Sequence, residues 1–279
     1  MIHNYKGVED IEAYSKVVDR LRNFFQKKGF VEVHTQDRLS ILAACEDPTT
    51  VATFNYAGKV WPLPQTGQMW LEYELLTKPE LPGVFCLSTS FRNEKNPVPG
   101  RHKIIFPMFE FESKGTMEDL RKLEAELVEY LGFKEKGSVV HKTYDQLATT
   151  YQTDELSHRE ENKMEKDLGP VVFIENFPIR TSPFWNMRKE GEYANKIDVV
   201  IAGNETIGSA ERSSNPVEMR SQFESISDGK YAQLLYGLFG KDRVVGELED
   251  FLSLPFFPRF GGGIGITRLI DGMKKYQLV

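Results

Sequence analysis

Residues 91–102 read FRNEKNPVPGRH. The runs on either side, Val84-Phe85-Cys86-Leu87 and Phe109-Glu110-Phe111-Glu112, are short and β-prone, so the stretch between them reads as a hairpin turn with Pro97, Pro99 and Gly100 at its tip. Such a hairpin gathers Arg92, Arg101 and His102, with Glu94 beside them. A polyphosphate bound outside a P-loop needs fixed cations of this kind, and planar guanidinium groups suit phosphate oxygens best. Phe106, on the returning strand, is placed to stack on a base. By itself the stretch also fits an Arg92–Glu94 ion pair on an ordinary surface hairpin. A second stretch shifts the balance. Gly261-Gly262-Gly263-Ile264-Gly265 reads as a strand stripped of side chains, open to close approach by a ligand or another backbone, and Ile266-Thr267-Arg268-Leu269 follows at a helix start. Arg268 then faces the same pocket as Arg92.

The common nucleotide signatures are absent from both stretches. Gly261 to Ile266 lacks the last glycine of the dinucleotide fingerprint and any βαβ unit after it. Gly237 to Asp242 is too short for a P-loop and has Asp where Ser or Thr must meet magnesium.

Working outward, Ile11, Tyr14, Val18, Leu21 and Phe25 fall on one stripe of a helix from Asp10 to about Lys28, which Gly29 stops. Phe30 to Val33 reads as a strand. A second helix starts at Thr116, capped with Asp119, and runs through Leu120, Leu123, Leu127 and Leu131 to Gly132. Further strands are expected over Val171–Ile174 and Ile197–Ile201. Strands outnumber helices without strict alternation, which predicts an α+β fold: an antiparallel sheet flanked by helices, in one domain over residues 1–279. With 40% hydrophobic and 27% charged residues the chain can bury a full core. A formal charge of −6 without a basic tail gives no general attraction for nucleic acid. Two cysteines, Cys45 and Cys86, exclude a disulfide scaffold or zinc ribbon and fit a cytoplasmic setting. The polar N-terminus lacks the pattern of a signal peptide, and no apolar run approaches the roughly 20 residues of a membrane span.

These residues resemble a known family. FRNE, RH and FEFE resemble motif 2 of the class II aminoacyl-tRNA synthetases, and GGGIGITRL resembles their motif 3. Cys45-Glu46, Thr66-Gly67-Gln68, Phe184 to Arg188, and Asp198 through Arg212 resemble further elements of the aspartyl/asparaginyl branch. The resemblance implies the class II synthetase fold and an ATP- and Mg2+-dependent ligase. In it Arg92 would meet the α-phosphate and the attacking carboxylate. Glu94, Arg101, His102 and Arg268 would line the ATP site, with Phe106 and Arg268 enclosing adenine. Asp198 and Glu205 would share Mg2+. Glu46 and Gln68 would take the ammonium group of the amino acid, and Arg212 its side chain; without the family pattern, Asp198, Glu205 and Arg212 read equally well as strand-end salt bridges.

The departures are Gln36, where the family has the proline of motif 1, Ile105, where motif 2 commonly has a glutamate that reads adenine, and Leu71, where aspartyl enzymes carry a lysine. Gln36 weakens the usual argument for a dimer, although a homodimer remains the expectation. The first helix begins about ten residues into the chain, where tRNA-charging relatives have an anticodon-binding OB-fold. The expectation is therefore an enzyme resembling the AMP-forming asparagine synthetases. It would use aspartate or asparagine as the amino acid and ammonia as the acceptor, with no membrane partner and with tRNA disfavoured unless another chain supplies its binding. The alternatives are a paralogue that transfers an activated amino acid to tRNA, a protein or another acceptor, and a non-catalytic sensor of amino acid or adenylate.

Overall fold

The computed structural model describes residues 8–35, 41, 48–95, 97 and 103–279. The first helix, α1 (Ile11–Lys27), starts where Asp10 accepts the N–H groups of Glu12 (3.1 Å) and Ala13 (2.9 Å). Its buried stripe is Ala13, Val17, Val18, Leu21, Phe24 and Phe25, turned slightly from the expected one, and Ile11 is 71% exposed. The expected strand after it is only the two-residue β1 (Val31–Glu32). A small hairpin, β2 (Thr53–Tyr56) and β3 (Lys59–Pro62), precedes helix α2 (Gln68–Thr77).

The hairpin expected around residues 91–102 is formed by β4 (Gly83–Phe91) and β5 (Ile105–Lys114), which pair from Gly83↔Ser113 to Phe91↔Ile105. Helix α3 (Met117–Tyr130) starts with Asp119 accepting the Thr116 N–H at 2.9 Å, as its capping pattern predicts. Then follow β6 (Val139–Thr143), α4 (Tyr144–Tyr151), α5 (His158–Leu168), β7 (Val171–Pro178), β8 (Lys189–Glu190), β9 (Tyr193–Ile201) and β10 (Asn204–Arg212). Three helices, α6 (Pro216–Ser225), α7 (Lys230–Phe239) and α8 (Lys241–Leu252), separate β10 from β11 (Arg259–Gly265), which runs straight into α9 (Ile266–Lys275).

The large sheet has the order β1-β4-β5-β11-β10-β9-β7-β6, with β8 added to β9. The expectation of an antiparallel sheet holds for its interior and is corrected at its edges. There β1 joins β4, and β6 joins β7, in parallel. The correction has a simple cause: helical segments intervene between each of these two pairs, and a crossover of this length returns the chain in the same direction.

One face of the sheet is covered by α1, α3 and α9, where Phe25 packs 5.0 Å from the rings of both Phe109 and Phe111. Burying each such ring contributes about 1.5–3 kcal/mol. On the other face, α6, α7 and α8 gather around the fully buried Trp185, while α4 and α5 pack on Val172, Ile174 and Val200. Between those two groups of helices the sheet is left open.

Candidate active site

Strand register decides what lines that opening. Glu110 of β5 lies opposite Gly263 of β11, Gly263 opposite Gly208 of β10, and Gly208 opposite Asp198 of β9. A second row on the same face runs Glu112, Gly261, Ala210, Lys196. Each row ends in charged side chains and has glycine or alanine in the middle. Three inter-strand spacings of about 4.8 Å separate the ends by roughly 14 Å. The glycines are a steric requirement: a Cβ on Gly261 would lie 2.1 Å from the Glu112 carboxyl carbon, and one on Gly263 would lie 2.8 Å from Met108 Cε. The result is a cavity of about 380 Å³.

Arg92, at the end of β4, and Arg268, in the first turn of α9, both line this cavity, as do Glu94, Phe106, Gln68, Glu205 and Arg212. The backbone N–H of Arg92 donates to Ile104 O at 2.8 Å, closing the hairpin below its turn. Its guanidinium carbon lies 5.6 Å from the centre of the Phe106 ring. Arg268 donates from Nη1 to the Glu205 carbonyl at 2.6 Å, tying α9 to β10. Glu46, Arg101, His102 and Gln36 lie outside the described residues.

Asp198 does not itself line the cavity, but it converges with Glu205 above Gly208. A methyl group on Gly208 would sit 3.4 Å from Glu205 Oε1 and 3.6 Å from Asp198 Oδ1. Two carboxylates brought together, Glu205 lining the cavity and Asp198 buried behind it, are hard-oxygen donors of the kind Mg2+ takes. Among the described residues no three His, Cys, Asp or Glu side chains cluster as a metal site, so phosphate and water would complete such an ion's shell.

The wall at the other end is a buried charge network that sequence reasoning missed. Glu72 of α2 is fully buried and accepts Arg259 Nε (2.9 Å) and Nη2 (2.6 Å), Asn186 Nδ2 (2.6 Å) and Gln68 Nε2 (2.9 Å). Arg212, 2% exposed, donates from Nε (3.1 Å) and Nη2 (2.6 Å) to Glu112. Burial pushes Glu112 up to about 8, against the pull of Arg212. Arg212 therefore reaches the cavity already engaged by a carboxyl group. Glu110, also missed, receives the Gly67 N–H at 2.8 Å and the Thr66 and Ser88 hydroxyls, and it faces the cavity. The alternation in Phe109-Glu110-Phe111-Glu112 was the available signal: Phe on the core face places both carboxylates on the other. Leu71 is buried with Leu75, Val84 and Cys86. It does not line the cavity, so it carries no information about substrate charge.

A largely antiparallel sheet with a glycine-floored cavity and two arginines at its edge is the architecture of class II synthetase catalytic cores. The family model described as tRNA synthetases class II (D, K and N) matches residues 2–278, and this chain belongs to that family. The asparaginyl-tRNA synthetase from Pyrococcus horikoshii complexed with asparaginyl-adenylate superimposes with a TM-score of 0.79 at 20% identity, over 95% of this chain and 65% of that one. The aspartyl tRNA synthetase from Entamoeba histolytica gives 0.70 at 17% identity, over 94% and 54%. These likenesses show a shared fold. In sequence, the chain is 25% identical to an aspartate–tRNA(Asp) ligase of Pyrobaculum aerophilum over 93% of its length. It is 24% identical to a lysine–tRNA ligase of Staphylococcus epidermidis over 97% of its length. It spans 62% of the length of each of these two relatives. Both are tRNA ligases by name and lend no support to the expectation that tRNA is disfavoured without a partner chain.

Proposed function

We propose that this protein activates the carboxyl group of an aspartate- or asparagine-type amino acid with ATP. A carboxylate oxygen attacks the α-phosphorus, the bond to the leaving pyrophosphate breaks, and an aminoacyl-adenylate forms. The observation that carries this reading is the meeting of Arg92 and Arg268 in one cavity that also exposes Glu110. Cations at one end suit a triphosphate, and a fixed carboxylate at the other suits an ammonium group.

Arg92 offsets charge that develops at phosphorus, and Arg268, braced by the Glu205 carbonyl, meets the triphosphate. Asp198 and Glu205 would hold Mg2+, which when bound neutralises phosphate charge. Glu110, with Gln68 beside it, takes the α-ammonium group, while Arg212, which also donates to Glu112, meets the substrate group that is not activated: the α-carboxylate when ammonia is the acceptor, the side chain when tRNA is. No side chain needs to act as nucleophile; the residues bind, orient and balance charge.

For the acceptor we favour ammonia: the side-chain carboxylate of aspartate attacks phosphorus, and ammonia displaces AMP from the resulting β-aspartyl-adenylate to give asparagine. The chain's formal charge of −6 offers little general attraction for a polyanion. The second reading, transfer to tRNA, is favoured by the relatives' names. AMP release measured across amino acids, with ammonium or with tRNA, tests both. AMP and asparagine from aspartate plus ammonium support the first, and charged tRNA the second. ADP as product overturns the adenylate reading altogether. The family pattern further implies a homodimer. Exposed Ile11 on α1 and Val31 on the edge strand β1 are apolar groups that an interface there would cover, and light scattering measures the mass directly.

A further inference from the structure

The end of the cavity that holds Phe106 and Arg268 carries a carboxylate that the chemistry above does not use. Phe106 precedes Glu110 by four residues on β5, roughly 13 Å at 3.3 Å per residue, so a base stacked on it lies well away from the ammonium site. An aromatic ring and a guanidinium plane accept any purine, because stacking does not depend on the groups around the base's edge. Telling one purine from another requires a hydrogen-bonding group aimed at that edge. Asp271 lines the same cavity from α9, three residues beyond Arg268 on the same side of the helix and about 4.5 Å further along it. The two lysines whose charge reaches Asp271 are engaged with other carboxylates: Lys103 Nζ lies 3.6 Å from Glu9 Oε1, and Lys274 Nζ lies 2.5 Å from Asp10 Oδ2. Asp271 itself makes no hydrogen bond or close ion pair among the described residues. Burial raises its carboxyl above the ordinary aspartate range; Lys103 and Lys274 pull the other way, and Glu9 adds to the rise. A partly shielded acceptor without a donor gains by finding one in a ligand.

We propose that Asp271 reads the base: its carboxylate accepts the exocyclic amino group of a purine held between Phe106 and Arg268, and so selects a 6-aminopurine nucleotide. The inference rests on the ATP reading above. A purine with hydrogen at position 6 leaves the carboxylate without its donor, and one with a carbonyl there sets two acceptors against each other. A hydrogen bond to a charged acceptor corresponds to a change in affinity of about tenfold or more.

The test is calorimetric titration of the full chain, in Mg2+ buffer, with ATP, with purine riboside 5′-triphosphate, which lacks the 6-amino group, and with inosine triphosphate, which has a carbonyl in its place. Wild type is expected to bind ATP about tenfold more tightly than purine riboside triphosphate. Asp271→Ala is expected to lose that preference by weakening ATP alone, the purine analogue serving as the control for folding. Asp271→Asn, whose amide can donate as well as accept, is expected to keep ATP and to gain inosine triphosphate. Equal wild-type affinity for ATP and the purine analogue, or a loss in Asp271→Ala that is the same for both, overturns the role of Asp271 and leaves the ATP reading standing. Failure of the wild type to bind ATP overturns both.

Discussion

Arg92 and Arg268 lie far apart in sequence and meet in one cavity because β5 and β11 are neighbours in the sheet, which brings the end of the β4–β5 hairpin beside the start of α9. Removing either guanidinium leaves phosphate charge uncompensated. Arg92→Ala is expected to lower kcat for AMP formation by on the order of 100- to 1000-fold while the protein stays folded, as steady-state kinetics and circular dichroism would show. Arg259 makes a different case. Its guanidinium is fully buried and forks onto Glu72, so Arg259→Met strands a buried carboxylate among the amides of Gln68 and Asn186. Urea denaturation is expected to show a loss of about 3–5 kcal/mol, and a variant within 1 kcal/mol of wild type would contradict it. The two arginines of the motifs were legible from sequence because each adjoins a turn or a glycine run with its own signal. Glu72, Glu110 and Glu112 were not, because their roles come from partners distant in sequence, and no local pattern states which strand lies beside which.

Elements whose ends carry their own chemistry were read well. Helix α1 starts beside Asp10 as expected, Thr116 with Asp119 caps α3 where expected, and the glycine-rich strand leads directly into a helix. The strand expected over Phe30–Val33 shrank to two residues at the sheet edge, where among the described residues β4 alone pairs with it. The parallel edge pairs depend on how long crossovers fold back, which periodicity does not encode. Helix α3 also brings an unusual group against the sheet. Glu124 is fully buried, and neither of its carboxyl oxygens has a hydrogen-bond partner among the described residues. Burial pushes it up to about 8; the nearby Ser209 hydroxyl pulls the other way but donates to Ile197 O at 3.2 Å.

The sign of this contribution follows from the raised pKa. The folded chain keeps the Glu124 proton between pH 4.5 and about 8, the unfolded chain releases it, and stability falls as pH rises through that window. Glu124→Gln is expected to remove this slope, gaining on the order of 3 kcal/mol relative to wild type at pH 8 compared with pH 5. Parallel curves for the two proteins would contradict it. At the acid end the sign reverses for Glu175, between β7 and α3. Burial opposes its charge, but hydrogen bonds from His141 and Arg121 hold it down to about 2. Its contribution is present above pH 4.5 and is lost as the pH falls toward 2, so Glu175→Gln should blunt acid unfolding followed by fluorescence.

At the scale of the whole molecule, two helical layers enclose the sheet, and the cavity opens where the cover on one face divides between α4–α5 and α6–α8. That gap places Glu110 and the two arginines, Arg92 and Arg268, in a single volume, which is what condensing an amino acid with a nucleotide requires. The sequence motifs signalled such a site, but its floor of two charge-ended rows emerges only when four strands are set in register. The central claim is that both ligands meet there before any acceptor arrives. Amino-acid-dependent exchange of labelled pyrophosphate into ATP, measured without ammonium or tRNA, tests it most directly. Exchange with aspartate or asparagine that is lost in Arg92→Ala is the predicted result; no exchange with any amino acid, under conditions where ATP binds, would contradict it.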